Sequence, residues 1–212
     1  MKTRAGTVRA ALVAAGAAIA AFAASAAPAS AGVLVSTARS CSQNGLSQPF
    51  AGFGDRAYYT SVPGGSFEPG APAWKLSGGA KIVSGNEPWY VGGRSQSRSL
   101  SLPAGATATS PAMCVGIGEP TLRYFAKSSS LLGLTGAMTV EVLTETSLGL
   151  VVAVPLLPGV LTYAWKPSLP TPVVANLLPL LPGQKTAVAF RFHAVAGNWG
   201  LDDVYVDPYK TR

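Results

Sequence analysis

The stretch Ala187-Val188-Ala189-Phe190-Arg191-Phe192-His193 decides the fold. Its larger apolar side chains recur at every second position. Val188, Phe190 and Phe192 therefore share one face, and Arg191 and His193 share the other. Alternation of this kind is the mark of a half-buried strand, because successive side chains leave a strand on opposite sides. The same period recurs on either side. Ser99 to Leu102 alternates and stops at Pro103. Thr121 to Lys127 puts Leu122, Tyr124 and Ala126 on one face. Met138, Val140 and Val142 alternate with Thr139, Glu141 and Leu143. Gly200 to Val206 reads as a last strand with Val204 and Val206 together.

The punctuation agrees with this reading. Pro63-Gly64-Gly65, Ser77-Gly78-Gly79, Ser84-Gly85-Asn86, Gly92-Gly93 and Pro182-Gly183 are turn signals between short runs. No segment shows a capped amphipathic helix. Many short strands at this spacing predict an all-β fold, a two-sheet antiparallel β-sandwich of the jelly-roll kind. Leu148 to Trp165 is strongly apolar, but Pro155 and Pro158 interrupt it. It reads as two strands joined near Leu157-Pro158-Gly159 rather than as a membrane span. Pro172 to Leu181 fits a helical turn or a loop equally well.

The N-terminus reads as a cleaved signal peptide, residues 1–31. Lys2, Arg4 and Arg9 precede an uncharged, Ala-rich run, and Ala29-Ser30-Ala31 supplies a small-x-small cleavage pattern before Gly32. A cut after Ala26 is the second option. Residues 32–212 then form a single domain, expected to be secreted and extracellular, with no stable membrane insertion after cleavage. Three of the 16 Lys and Arg residues fall in the leader, which lowers the net charge from +7 to +4. The remaining cations are scattered, so the sequence does not point to nucleic acid. Cys41 and Cys114 are the only cysteines. Export into an oxidising setting predicts a Cys41–Cys114 disulfide. Closing so long a loop is worth up to roughly 4 kcal/mol in the chain-entropy description.

The residues point away from an enzyme. The single histidine, His193, shares its strand's outward face with Arg191. There is no G-x-S-x-G elbow and no cysteine–histidine set for zinc. The acids show no spacing that pairs two of them for acid–base work. Asp202 is the exception in interest: strict alternation places it with Val204 and Val206 on the core face. A buried carboxylate must be paired, hydrogen-bonded or metal-bound. In an exported protein the natural cation is Ca2+.

Two motifs carry a resemblance. Gly65-Ser66-Phe67-Glu68 with Trp74, and Trp199-Gly200-Leu201-Asp202-Asp203-Val204, resemble the two ends of a carbohydrate-binding-module jelly roll of the galactose-binding-like class. The wider pattern also resembles a family of exported actinobacterial proteins. It comprises Val62 to Glu68, Leu76 to Gly79, Gly85 to Pro88, Ser99 to Pro103 and Asp202 to Pro208. That family implies no reaction. The jelly-roll resemblance implies a structural calcium held by Glu68 and Asp202, with Asp203 in place of Asp202 if the strand parity is shifted by one.

A glycan-binding surface needs aromatic platforms with polar neighbours. Trp89 and Tyr90 are the loop candidates. Arg123, Phe125, Glu141, Arg191 and His193 share outward parity on three strands and are expected to form one polar face. Trp165 fits either packing or ligand contact. The main reading is a non-catalytic exported domain with a binding or structural role. The narrower alternative is a carbohydrate-binding module whose partner is an extracellular or cell-wall glycan, and a hydrolase ranks third.

Overall fold

The computed structural model describes residues 45–129, 136–145, 151–156, 163–173 and 184–207. The expected leader, Cys41, the turn at 157–159 and most of 172–181 lie outside the described residues. In chain order the strands begin with β1 (Leu46–Ser47), β2 (Tyr59–Ser61), β3 (Lys75–Ser77), β4 (Lys81–Ser84) and β5 (Arg98–Leu102). There follow β6 (Thr107–Thr109), β7 (Met113–Gly116), β8 (Thr121–Ser128), β9 (Ala137–Glu145) and β10 (Val151–Leu156). The last four are β11 (Lys166–Pro167), β12 (Thr171–Pro172), β13 (Lys185–Ala196) and β14 (Trp199–Asp207). One 3-10 turn, Ala51–Phe53, is the helical element among the described residues. None of their helices is long and apolar enough to cross a membrane.

The strands form two antiparallel sheets, and the chain is an all-β sandwich. Sheet A is centred on β14. One edge of β14 pairs with β8 along its length, and the other is shared by β5 at Trp199–Leu201 and β2 at Tyr205–Val206. β4 extends β5, β1 extends β2, and β11 and β12 line the far edge of β8. Sheet B repeats the arrangement around β13. There β9 takes one edge, and β7 and β6 share the other. β10 extends β9 and β3 extends β6.

The core lies between the sheets and is supplied by the alternation seen in the sequence. Val188, Phe190 and Phe192 of β13 and Met138, Val140 and Val142 of β9 meet Leu122, Tyr124 and Ala126 of β8 across the interlayer. Tyr124 and Phe192 make an edge-to-face pair with centroids 5.1 Å apart. Trp74 and Trp199 also pack into this core.

β14 departs from strict alternation. Trp199 and Leu201 face the core, and so do Val204 and Val206. The inward parity therefore slips by one residue between them. Against β8, Asp202 is opposite Phe125 and Tyr205 is opposite Arg123. Three steps on β14 match two on β8, which is a β-bulge. Asp203 takes up the extra residue with φ of 47°. Asp202 consequently points away from the core, contrary to the expectation from strict parity.

Candidate functional site

The outer face of sheet A is built over in its middle. Phe50, Tyr59, Phe125 and Tyr205 form a second buried apolar cluster there. Phe50 stacks on Phe125 at 5.3 Å and lies beneath the Arg123 guanidinium, 4.0 Å from its carbon. Arg123 donates from Nε and Nη2 to the Ser168 carbonyl and from Nη1 to the Asp55 carboxylate. The Tyr59 hydroxyl also donates to Asp55, at 2.6 Å. Burial pushes the Asp55 carboxyl up. The Tyr59 hydroxyl, the Ala57 amide and the Arg123 guanidinium more than offset this and leave it below the usual carboxylate range.

Arg123 and Phe125 do face outward, but they are not available to a ligand: Arg123 is 6% exposed and Phe125 is fully buried. The covering segment at 50–59 gives no periodic signal in the sequence that would have placed it there. Nor do the expected polar-face residues share one face. Arg123 and Phe125 belong to sheet A, whereas Glu141, Arg191 and His193 belong to sheet B.

Beside this cluster, the 86–96 loop is held by three acidic side chains. Glu87 accepts the Trp89 and Val91 amides, and its own amide donates to Asp202 Oδ2 at 3.0 Å. Asp202 Oδ1 accepts the Asp203 amide, and Asp203 Oδ1 accepts from Gln96 Nε2 at 2.9 Å. All three acids are buried. Burial and the neighbouring Asp203 charge push Asp202 up to about 8. Burial, opposed by the Gln96 bond and reinforced by the Glu87 charge, pushes Asp203 up to about 7. Burial and the same three carboxylates raise the Tyr205 phenol.

This scaffold presents Trp89, whose ring meets Phe125 at 5.5 Å and Phe53 at 4.9 Å. Trp89 and Tyr90 are each 45% exposed, and Tyr90 sits at φ of 53°.

Glu68 is held elsewhere. Its Oε1 accepts the Ser97 and Arg98 amides at 2.6 and 2.8 Å. The two acids proposed from the resemblance to share a calcium are thus engaged by separate sets of amides. Among the described residues no group of three or more His, Cys, Asp or Glu side chains is placed to hold a metal. Cys114 is buried in β7, and Cys41 lies outside the described residues.

Open grooves lie on both sheets among the described residues. On sheet B, one of about 420 Å3 is lined by Lys75, Ser77, Thr107, Thr109, Arg191 and His193, with Glu141 beside Arg191. No Phe, Tyr or Trp side chain lines it.

On sheet A, the face is open at the Trp199 end of β14. A groove of about 400 Å3 runs over Ser84 of β4, Ser99 and Ser101 of β5, Gly200 of β14 and Lys127 of β8, with Tyr163 and Asn198 beside it. Tyr163 is 52% exposed. Trp165 is half-buried, with the Lys127 ammonium 4.7 Å from its ring centre. Gly200 makes this floor possible. A Cβ there would come within 3.2 Å of the Trp165 ring and 3.0 Å of Lys127. Phe125 beneath Trp89 and Lys127 beside Trp165 are successive outward positions on β8, about 7 Å apart along the strand. The aromatic side chains Trp89, Trp165 and Tyr163 thus belong to one side of the molecule. Sequence reading singled out Trp89 but left Trp165 open and did not consider Tyr163. The β11–β8 pairing that places Trp165 on Lys127 is long-range and leaves no local mark.

No family model matches the chain, and no curated protein matches it. Solved structures do. The CBM22-1–GH10 modules of Clostridium thermocellum endo-1,4-beta-D-xylanase 10B, complexed with xylohexaose, match with 13% identity and a TM-score of 0.42 over 70% of this chain. The match spans 27% of that chain's length. The CBM22-1 xylan-binding domain from Paenibacillus barcinonensis Xyn10C matches with 11% identity and a TM-score of 0.42, over 72% of this chain and 93% of its own. The family 11 carbohydrate-binding module of Clostridium thermocellum Lic26A-Cel5E matches with 13% identity and a TM-score of 0.33, over 70% and 93%.

Proposed function

We propose that the protein is an exported, non-catalytic carbohydrate-binding domain whose ligand lies in the sheet A groove. The observation that carries this reading is the combination in one open groove of an exposed aromatic, Tyr163, with the hydroxyl of Ser101 and the amide of Asn198. A sugar ring has an apolar C–H face and a hydroxyl rim, so it calls for a flat ring beneath it and small polar groups around it. The groove volume falls within the range of small-ligand sites. Its walls carry no carboxylate, so the two-acid machinery of glycoside hydrolysis has no counterpart there. This supports binding over turnover.

Titration of the folded protein against a panel of soluble polysaccharides tests the reading. At least one polysaccharide is expected to bind saturably, and Tyr163→Ala is expected to weaken that binding by about tenfold or more, as for an aromatic at the centre of an interface. Tyr163 is 52% exposed, so Tyr163→Ala is expected to keep the wild-type circular dichroism and Tm. Absence of binding to every polysaccharide, or unchanged affinity of Tyr163→Ala, would reject the proposal.

A further inference from the structure

The chain has nine Asp and Glu residues, and all of them lie among the described residues. Every one is engaged within the fold. Asp55, Glu119 and Glu141 pair with Arg123, Lys185 and Arg191. Glu68 and Glu87 hold backbone amides, and Asp202 and Asp203 are buried beneath the 86–96 loop. Glu145 and Asp207 also have partners. The cations are distributed differently. Lys81 and Lys127 are exposed and form no ion pair among the described residues.

The strand registers put these two lysines in a single row across sheet A. Lys81 of β4 is opposite Ser101 of β5, Ser101 is opposite Gly200 of β14, and Gly200 is opposite Lys127 of β8. The two lysines stand at the ends of this row, about 14 Å apart across three strand spacings. Between them lie a serine hydroxyl and a glycine floor. The rest of the chain supplies no acid to neutralise them, because all nine lie among the described residues. The row is therefore cationic at both ends, with the Tyr163-lined groove over its Ser101 and Gly200 floor and Trp165 beside Lys127.

We infer that its ligand is an acidic polysaccharide built on uronic-acid units, an inference that rests on the glycan reading above. The sugar ring lies against the aromatic side chain of Tyr163, and carboxylates of separate units along the polymer are met by Lys127 and Lys81. Each ammonium is a compact charge on a flexible four-carbon stem, suited to a carboxylate whose position varies from unit to unit. A neutral glycan would leave both ammoniums without a counter-charge.

The experiment compares polygalacturonate, its methyl-esterified form and a neutral xylan as ligands for the full-length secreted protein. The wild type is expected to prefer polygalacturonate by at least tenfold, with affinity falling as salt is raised. Lys81→Gln and Lys127→Gln are each expected to weaken that binding by about five- to tenfold. Lys75→Gln, which removes the same charge from the sheet B face, is expected to leave it unchanged. An equal loss in Lys75→Gln would show general charge attraction or a ligand on the opposite face, and would overturn the inference. Equal binding of esterified and free polymer, unaffected by either lysine change but lost in Tyr163→Ala, would overturn the acidic class and leave the glycan reading standing. No binding to any of the three polymers or to the wider panel would overturn both.

Discussion

Asp203 carries an unusual burden. It holds a left-handed backbone conformation that non-glycine residues rarely adopt, though Asp is among those that tolerate it. It is also buried beside Glu87 and Asp202, and its Oδ2 has no hydrogen-bond partner. The consequence is a sign for the pH dependence of stability. Asp202 and Asp203 are raised from 3.8 to about 8 and about 7. Between pH 4 and those values the native state keeps protons that the unfolded chain has released. Their contribution to stability is therefore complete below about pH 4 and is lost as pH rises through 7 to 8. Asp55 is lowered instead, so its contribution is lost only when pH falls below the ordinary carboxylate range. The urea midpoint should be higher at pH 5 than at pH 8.5, and Asp203→Asn should narrow that difference. A midpoint that is flat or rises between those two values would show that Asp202 and Asp203 do not titrate as argued.

The bulge that contains Asp203 also fixes how β2 meets β14. The Val62 amide donates to the Val204 carbonyl at 2.9 Å, and the Val204 amide donates to the Gly65 carbonyl at 3.1 Å. Gly65 is pressed so closely against this junction that a Cβ would sit 2.8 Å from the Val204 oxygen and 3.0 Å from the Val62 oxygen. Both are backbone atoms in the sheet and cannot move aside cheaply. Gly65→Ala should therefore cost about 1–3 kcal/mol, read as a drop of several degrees in Tm. Gly52→Ala, where a Cβ meets nothing within 4 Å, should leave Tm unchanged, and equal effects of the two changes would refute the close-approach argument. The same strand shows what the sequence makes legible. β8, β9 and β13 follow a strict period of two, so their inward residues could be assigned from the sequence and are found in the core. β14 has the same appearance, yet its Asp-Asp pair conceals an extra residue, because a bulge has no periodic signature. Parity likewise showed that Arg123 and Phe125 point outward. It could not show that Phe50 and Trp89 cover Phe125, since the covering contacts join residues far apart in the chain. The groove at Lys127 was missed for the same reason: Trp165 reaches it through a two-residue strand pairing with β8.

Taken as a whole molecule, the chain commits its acids to the interior and to ion pairs and leaves lysines on its outer faces. That distribution suits the polyanionic ligand proposed above. The expected export also bears on how the β7 edge of sheet B is held. Cys114 is opposite Ala187 of β13 and is buried at 6% exposure. A bond from it to Cys41 would tie the segment preceding β1 to sheet B, although β1 itself belongs to sheet A. Such a link joins the two layers covalently and restricts the unfolded chain, an effect of up to roughly 4 kcal/mol. Intact mass measurement of protein recovered from the culture medium should give a chain beginning at Gly32 and lighter by two hydrogens than its reduced form. Reduction should then lower the denaturation midpoint without abolishing the β-sheet circular dichroism, since the sandwich core is independent of the bond. Two alkylatable thiols in the native secreted protein, or a midpoint indifferent to reductant, would remove the covalent link and leave the layers held by the core alone.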